Sequence, residues 1–189
     1  MRRKRCSSCR GEQGKVAKNV LDRDLSADRP MEELATDVTE FKAAGAKAHL
    51  SPAMDLCGNE MAAWSVSRSP SMAQTMEMLD GLGSRLRGPA LLHSGQGWQC
   101  QQLSCQKRLE GLGLTQGMPR KATCLGNACM EGLFGHLEDE PYRDRGFDSL
   151  GSLKGQLDCP IGHWNTRRYQ TRLKGMTPVQ YRGHPKRAA

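Results

Sequence analysis

Hydrophobic and polar residues alternate in short blocks along the first third of the chain, as they do in β-strands. Residues 34–42, LATDVTEFK, place Asp37 and Thr39 on one face and Val38 on the other. The alanine-rich residues 46–56 and the following residues 61–69 have similar strand character, and Pro70 ends the second of them. The pattern therefore predicts three successive strands.

Beyond Pro70 the apolar residues take the spacing of helices. Met72, Met76 and Leu79 follow one another at i, i+4 and i+7, which predicts a helix over residues 72–86. A short strand then leads into a loop at His93, and a helix, a strand and two helices follow in order. Their predicted bounds are residues 90–92, 99–112, 114–118, 125–138 and 149–170. Strands that alternate with helices indicate an α/β domain.

Charge is distributed unevenly along this chain of 189 residues, whose formal net charge is +8. Residues 1–24 hold eight Lys and Arg against three acids, and residues 167–189 hold seven against none. The stretch between them carries thirteen basic and seventeen acidic residues. Two basic ends suit a polyanion such as nucleic acid or an anionic membrane, although solvated basic tails give the same pattern.

The cysteines and the amino-terminal residues indicate the cellular compartment of the protein. The chain has no apolar run of 18 or more residues, and MRRKRCSSCR continues into polar residues, so we expect a cytoplasmic, reduced protein without a membrane partner. Cys6 and Cys9 have the spacing of half a zinc site. The other close pairs do not complete it, because four residues separate Cys100 from Cys105 and Cys124 from Cys129. Bound zinc is therefore not expected.

Five segments together resemble one family. They are TDVTEF, LSPAMDL, LLHSGQGWQC, MPRKATCLGNACMEGLFG and LKGMTPVQYR, and they are similar to the orfB-type transposases of bacterial insertion sequences, which share the retroviral integrase catalytic core. The resemblance covers nearly all of the chain in one order. It implies a ribonuclease-H-like α/β fold, with a mixed five-stranded sheet flanked by helices. It also implies a basic amino-terminal arm (residues 1–30), a catalytic core (31–170) and a basic carboxyl-terminal tail (171–189).

That family has a catalytic triad of two aspartates and a glutamate. The resemblance matches Asp37 to the first aspartate and Glu131 to the glutamate. Thirty-five residues separate Glu131 from position 95, the family's spacing between its second and third members, and position 95 is glycine. The resemblance implies that Asp37 and Glu131 bind Mg²⁺ or Mn²⁺ for displacement at phosphorus. Glycine offers no ligand, and no acid lies between Asp80 and Glu110 to replace it. We therefore expect impaired catalysis.

The residues themselves leave other interpretations open. Asp37 also fits an ordinary strand-edge residue, and Glu131 an exposed helix carboxylate. Trp98 is expected to pack beside the site, and His93 to form hydrogen bonds at a strand end rather than to bind metal.

The expected function is DNA transposition, with DNA and further copies of the chain as partners. The expected DNA contacts are Arg2, Arg3, Lys4, Arg5, Arg167, Arg168, Arg172 and Lys174. Because only about thirty residues precede Asp37, a helix-turn-helix protein encoded upstream in the same element is expected to help recognise its ends. The alternatives are a non-enzymatic DNA-binding or transposase-interacting remnant that acts as an inhibitor, and a zinc-dependent nucleic-acid-binding module.

Overall fold

Six strands form one mixed sheet in the described part of the chain. The computed structural model describes residues 27–43, 46–95, 97–118, 128–139 and 150–184. The strands are β1 (Glu33–Thr36), β2 (Thr39–Ala43), β3 (Ala46–Asp55), β4 (Met61–Ser67), β5 (Ala90–Ser94) and β6 (Leu114–Gly117). β3 is antiparallel to β4 along one edge and to both β1 and β2 along the other, whereas β5 is parallel to β1 and β6 is parallel to β5.

The first predicted strand is divided in two, which is why six strands stand where five were expected. Thr36 of β1 pairs with Ala53, and Thr39 of β2 pairs with Leu50, so both halves keep one register along β3. In that register Asp37 lies opposite Pro52, which has no N–H to donate to a ladder. The interruption therefore falls at Asp37, and the α/β class with a mixed sheet is confirmed.

Helices cover both faces of the sheet. α1 (Met72–Gly83) and α2 (Leu103–Gly111) share one apolar cluster with Leu34, whereas α3 (Ala128–Asp139) and α4 (Leu150–Thr166) share another with Ala35. Neighbouring residues of β1 thus face opposite layers, as the two-residue period of a strand requires. The apolar side predicted for α3 is confirmed, because its residues are buried or packed against the core: Met130, Leu133, Phe134 and Leu137.

Several element boundaries differ from the predictions, two of them near position 95. β5 continues through His93, where a loop was expected, because His93 pairs with Ala35 on one side and with Gly117 on the other. The helix predicted over residues 99–112 begins as a 3₁₀ turn, Trp98–Gln101, and becomes α-helical only in α2.

The segment expected as a basic tail is folded through residue 184. A 3₁₀ turn, Thr171–Leu173, leads to α5 (Pro178–Gly183), which begins with a capping box of Thr177 and Gln180. This Thr-Pro-x-Gln pattern is a helix start that the sequence interpretation missed. Arg182 of α5 forms an ion pair of 2.6 Å with the buried Glu60, which holds the segment against the turn between β3 and β4.

None of the described helices combines the length and the hydropathy needed to cross a bilayer.

Candidate functional site

The carboxyl ends of two parallel strands bring Asp37 and position 95 together. Thr36 pairs with Ser94 as the last residue of β1 meets the last residue of β5. Asp37 and Gly95 follow directly, and the Gly95 N–H donates to the Thr36 carbonyl over 3.4 Å. Since paired strands lie about 4.8 Å apart, the backbones at the two positions are neighbours. Ligands commonly bind at the carboxyl ends of parallel strands in open α/β sheets.

Glu131 lies in the first turn of α3, where its side chain is exposed. The preceding residue, Met130, is fully buried in the cluster that includes Ala35 of β1. The start of α3 therefore packs on the sheet face that carries Ala35, two residues before Asp37. The role of Glu131 as a metal ligand stays a prediction.

The surroundings of Asp37 are partly exposed. Its Oδ1 accepts a hydrogen bond of 2.9 Å from the Val38 N–H, and Val38 itself is exposed. Trp98, which was expected to pack beside the site, keeps 38% of its surface exposed. The Asp37 charge also reaches the Cys100 thiol, where it contributes to a raised pKa. Val38 follows the last residue of β1 by two positions, and Trp98 follows the last residue of β5 by four.

A group of polar side chains behind this edge was missed by sequence reasoning. Gln116 Nε2 donates to Ser94 Oγ over 3.2 Å and to the Cys100 carbonyl over 2.8 Å. Interaction with Cys105 and burial raise the pKa of the Cys100 thiol, and Ser94 lowers it. No local sequence pattern predicts this group, because its members belong to separate elements.

His93 is buried two residues before Gly95. Its Nε2 lies 3.4 Å from Glu33 Oε2 but makes no hydrogen bond within the described structure, contrary to the expected strand-end hydrogen bonding. A Cβ atom on Gly117 would lie 2.9 Å from His93 Nδ1, so the ring fills the space beside that glycine. Burial lowers the pKa of His93 to about 4, which keeps the imidazole neutral at pH 7.

The fit of the described residues to Mg²⁺ can be judged from their oxygen ligands. Mg²⁺ prefers several oxygen ligands in near-octahedral geometry, with carboxylates from separate elements. Among the described residues, no group of three or more His, Cys, Asp and Glu side chains is arranged to hold a metal ion. Asp37 and Glu131 are the two carboxylates expected to contribute, and Gly95 adds none. The residues present therefore fall one ligand short of the expected site.

The predicted DNA-binding residues have different surroundings. Arg2, Arg3, Lys4 and Arg5 lie outside the described residues. Arg167 and Lys174 are exposed. Arg168 lies 5.2 Å from the Trp164 ring and 3.0 Å from both ring nitrogens of His136, and Arg172 donates to the Leu56 carbonyl and to Asn59 Oδ1 over 3.0 and 2.5 Å. These last two arginines make contacts within the protein.

Two family models of one description match most of the chain. Residues 27–124 match a family described as the integrase core domain, and residues 131–185 match a second family of the same description. A transposase-like protein of Haemophilus influenzae is 42% identical over 176 residues, which cover 93% of this chain and 82% of that protein. An Escherichia coli K12 protein named as a transposase of the insertion sequence element IS150 is 42% identical over 181 residues. That match covers 95% of this chain but 64% of the relative, so the chain spans less than two thirds of its length.

The fold has a counterpart among solved structures. The integrase catalytic core domain of the virus HTLV-2, in a complex with magnesium, superposes with a TM-score of 0.62. The superposition covers 82% of this chain and 99% of that domain, at 17% sequence identity. This likeness confirms the ribonuclease-H-like fold. Together with the matches in sequence, it shows that the chain belongs to the integrase core domain family, with insertion-sequence transposases among its relatives.

Proposed function

We propose that this chain is the core of a DNA transposase whose catalysis is impaired at position 95. One observation carries the proposal: Gly95 stands beside Asp37 at the carboxyl ends of paired parallel strands, where the family resemblance requires the second aspartate. The transposase names of relatives that are 42% identical support the general activity. The missing side chain supports the impairment.

Asp37 and Glu131 are the proposed ligands of Mg²⁺ or Mn²⁺. In DNA cleavage and strand transfer such ions stabilise the attacking and leaving oxygens. A lost carboxylate ligand of this kind costs several kcal/mol, and about 4 kcal/mol corresponds to roughly a thousandfold in rate. We therefore expect no detectable strand cleavage or transfer by the unaltered chain.

DNA is the proposed partner, bound mainly through phosphate contacts. The supporting features are the two basic ends and the exposed Arg167 and Lys174. The proposal includes assembly of several copies on DNA and help in end recognition from an upstream helix-turn-helix protein. The viral core domain to which the fold is similar is described as trimeric, which supports the first of these.

The decisive experiment restores the missing carboxylate with Gly95→Asp. Mn²⁺ binding is measured by electron paramagnetic resonance, and nicking and strand transfer are measured on DNA that bears the element's ends. We expect tighter Mn²⁺ binding and a gain of cleavage in Gly95→Asp, both of which are lost when Asp37→Asn or Glu131→Gln is added. Strong cleavage by the unaltered chain would refute the impairment. Mn²⁺ affinity that Gly95→Asp leaves unchanged would refute the proposed position of the ligand.

A second candidate function follows from the same glycine. A chain that keeps the fold but lacks a catalytic ligand is suited to be a non-enzymatic remnant that inhibits an intact transposase by occupying DNA ends or mixed oligomers. Adding the purified chain to an active relative tests this proposal. We expect dose-dependent inhibition of strand transfer, and the absence of any effect at a large molar excess would exclude it.

A further inference from the structure

The 3₁₀ turn after β5 buries a polar residue and exposes its largest apolar one. Gln99 is 5% exposed, whereas the neighbouring Trp98 keeps 38% of its surface exposed. A Cβ atom on Gly97 would lie 3.1 Å from Gln99 Oε1, so the Gln99 side chain lies against that glycine. Successive side chains of a 3₁₀ turn point about 120° apart, so Trp98 is directed outward while Gln99 faces inward. An exposed tryptophan beside a buried glutamine reverses the usual preference and indicates a binding role.

The turn is a fixed support for the Trp98 ring. The Cys100 N–H donates to the Gly97 carbonyl over 3.1 Å. The Gln102 N–H donates to the carbonyl of residue 99 over 3.2 Å. Gln116 of β6 also donates to the Cys100 carbonyl over 2.8 Å, which ties the turn to the sheet. A ring on a rigid backbone loses little conformational freedom when a ligand covers it.

The Trp98 indole also differs from the other tryptophans in its contacts. Trp64 Nε1 donates to Asp158 Oδ1 over 2.8 Å, and Trp164 Nε1 donates to the Asn59 carbonyl over 2.7 Å. Within the described part of the chain, the Trp98 N–H has no such acceptor. Part of the ring surface and the N–H are therefore available to a ligand.

Trp98 lies close to the proposed site of strand cleavage. It follows Gly95 by three residues, so the two Cα atoms are at most about 11 Å apart. Nucleotides rise about 3.4 Å each along one stacked strand, so this distance spans about three nucleotides. The neighbours of a phosphate held at Asp37 are therefore within reach of the indole.

We propose that Trp98 is a stacking platform for an unpaired DNA base beside the site of strand cleavage. The inference rests on the proposed function, because it takes DNA as the ligand. Inside a duplex the faces of each base are covered by its neighbours, so the ring selects a base that is unpaired at a strand end or in a single strand.

The exposed apolar surface at this edge of the sheet fits one base better than a protein partner. Among the described residues, the large apolar side chains exposed near this edge are Val38, Trp98 and Leu103. A stable protein interface takes about twenty residues a side around an apolar centre, and three such side chains are too few for it. One aromatic ring is enough to stack one base.

Two DNA duplexes that differ only in pairing test the platform. A duplex with unpaired thymidines at one 3′ end is compared with a blunt duplex of the same length by fluorescence anisotropy. We expect the unaltered chain to bind the first about 5- to 150-fold more tightly, the range for one stacked base, and Trp98→Ala to abolish this preference. Trp98→Phe keeps an aromatic ring and should retain the preference. Trp98→Leu keeps apolar volume without a π-face and should lose it.

Cross-linking locates the base directly. An unpaired thymidine is replaced by 5-bromodeoxyuridine, which ultraviolet light joins to a stacked aromatic residue. Trypsin then releases residues 88–107, a peptide in which Trp98 is the only Trp, Tyr or Phe. We expect the cross-link in this peptide, and a cross-link confined to other peptides would overturn the proposal.

Leu103→Ala is the matched control, because it removes an exposed side chain that has no π-face. The preference for unpaired thymidines should remain in this variant, and circular dichroism checks the fold of each variant. Equal losses in Leu103→Ala and Trp98→Ala would overturn the proposal in favour of a general apolar contact. Lower self-association of Trp98→Ala with an unchanged preference would overturn it in favour of a second copy of the chain. Equal binding of both duplexes by the unaltered chain would refute the platform alone, whereas no binding of either would refute the proposed DNA partner as well.

Discussion

The buried His93 makes the stability of the folded sheet depend on pH. Its imidazole is buried beside Gly117, and its Nε2 lies 3.4 Å from Glu33 Oε2. Burial dominates, because the pKa is lowered to about 4 rather than raised by the carboxylate. The folded protein therefore binds fewer protons here than the unfolded chain does.

We expect this histidine to destabilise the fold as the pH falls. Between the unfolded pKa of 6.5 and the folded value of about 4, the unfolded chain gains a proton that the folded chain does not. The resulting loss of unfolding free energy reaches at most about 3 kcal/mol at pH 4. Urea unfolding from pH 7 to pH 4 measures it. His93→Leu should flatten the slope, and the exposed His184→Gln should not; parallel slopes for all three proteins would contradict the assignment.

At the scale of elements, α5 is held by a buried carboxylate. Arg182 contacts both carboxylate oxygens of Glu60 at 2.6 and 2.7 Å, and Arg85 contacts the same group at 2.6 Å. The Glu60 side chain is only 4% exposed, so its charge depends on these partners. Glu60 lies in the turn between β3 and β4, and its ion pair with Arg182 connects that turn to the segment after α4.

Arg182→Gln is expected to lower the unfolding free energy by about 1–3 kcal/mol, because one partner of a buried charge is removed while Arg85 remains. Urea unfolding followed by circular dichroism measures the change. Lys154→Gln breaks the exposed ion pair with Glu77 and is the matched control, for which we expect less than about 0.5 kcal/mol. Equal effects of the two variants would show that α5 is not held by Glu60.

Glycines inside helices give a second prediction at this scale. Gly135 in α3 and Gly155 in α4 have open space where a Cβ atom would lie. Alanine at either position should therefore stabilise the protein by about 0.5–1 kcal/mol. In α1, a Cβ on Gly83 would lie 2.6 Å from Leu112 Cδ2, so Gly83→Ala should gain less or lose stability. Thermal melts compare the three variants, and a lower melting temperature for both exposed positions would contradict this account.

For the whole molecule, charge at the chain ends predicts how DNA is bound. We expect weak sequence preference and an affinity that falls steeply with salt, because Lys and Arg displace counterions from phosphates. Removing residues 1–10 together with 185–189 should weaken binding and flatten the salt slope, as measured by fluorescence anisotropy on unrelated duplexes. Arg108→Gln is the control, since that side chain pairs with Asp80 and lies outside the basic ends of the chain. Unchanged binding after the deletion would place the DNA site in the core.

The order of elements was readable from the sequence because each periodicity belongs to one segment. The helical spacing of Met72, Met76 and Leu79 lies within the single helix α1, so no partner is needed to recognise it. The family resemblance assigned Asp37 and Glu131 by the motifs that contain them, and position 95 by its distance from Glu131. Their roles as ligands remain predictions.

Tertiary structure decided whatever depends on two segments meeting. The first strand is interrupted at Asp37 because Pro52 lies opposite in β3, and β5 extends through His93 because neighbours pair with it on both sides. Arg182 of α5 pairs with Glu60, which is far away in sequence. Gln116 of β6 donates to Ser94 of β5 and to the Cys100 carbonyl of the 3₁₀ turn. Strand pairing, burial and hydrogen bonds across the sheet depend on residues that are distant along the chain. A local sequence pattern therefore cannot predict them.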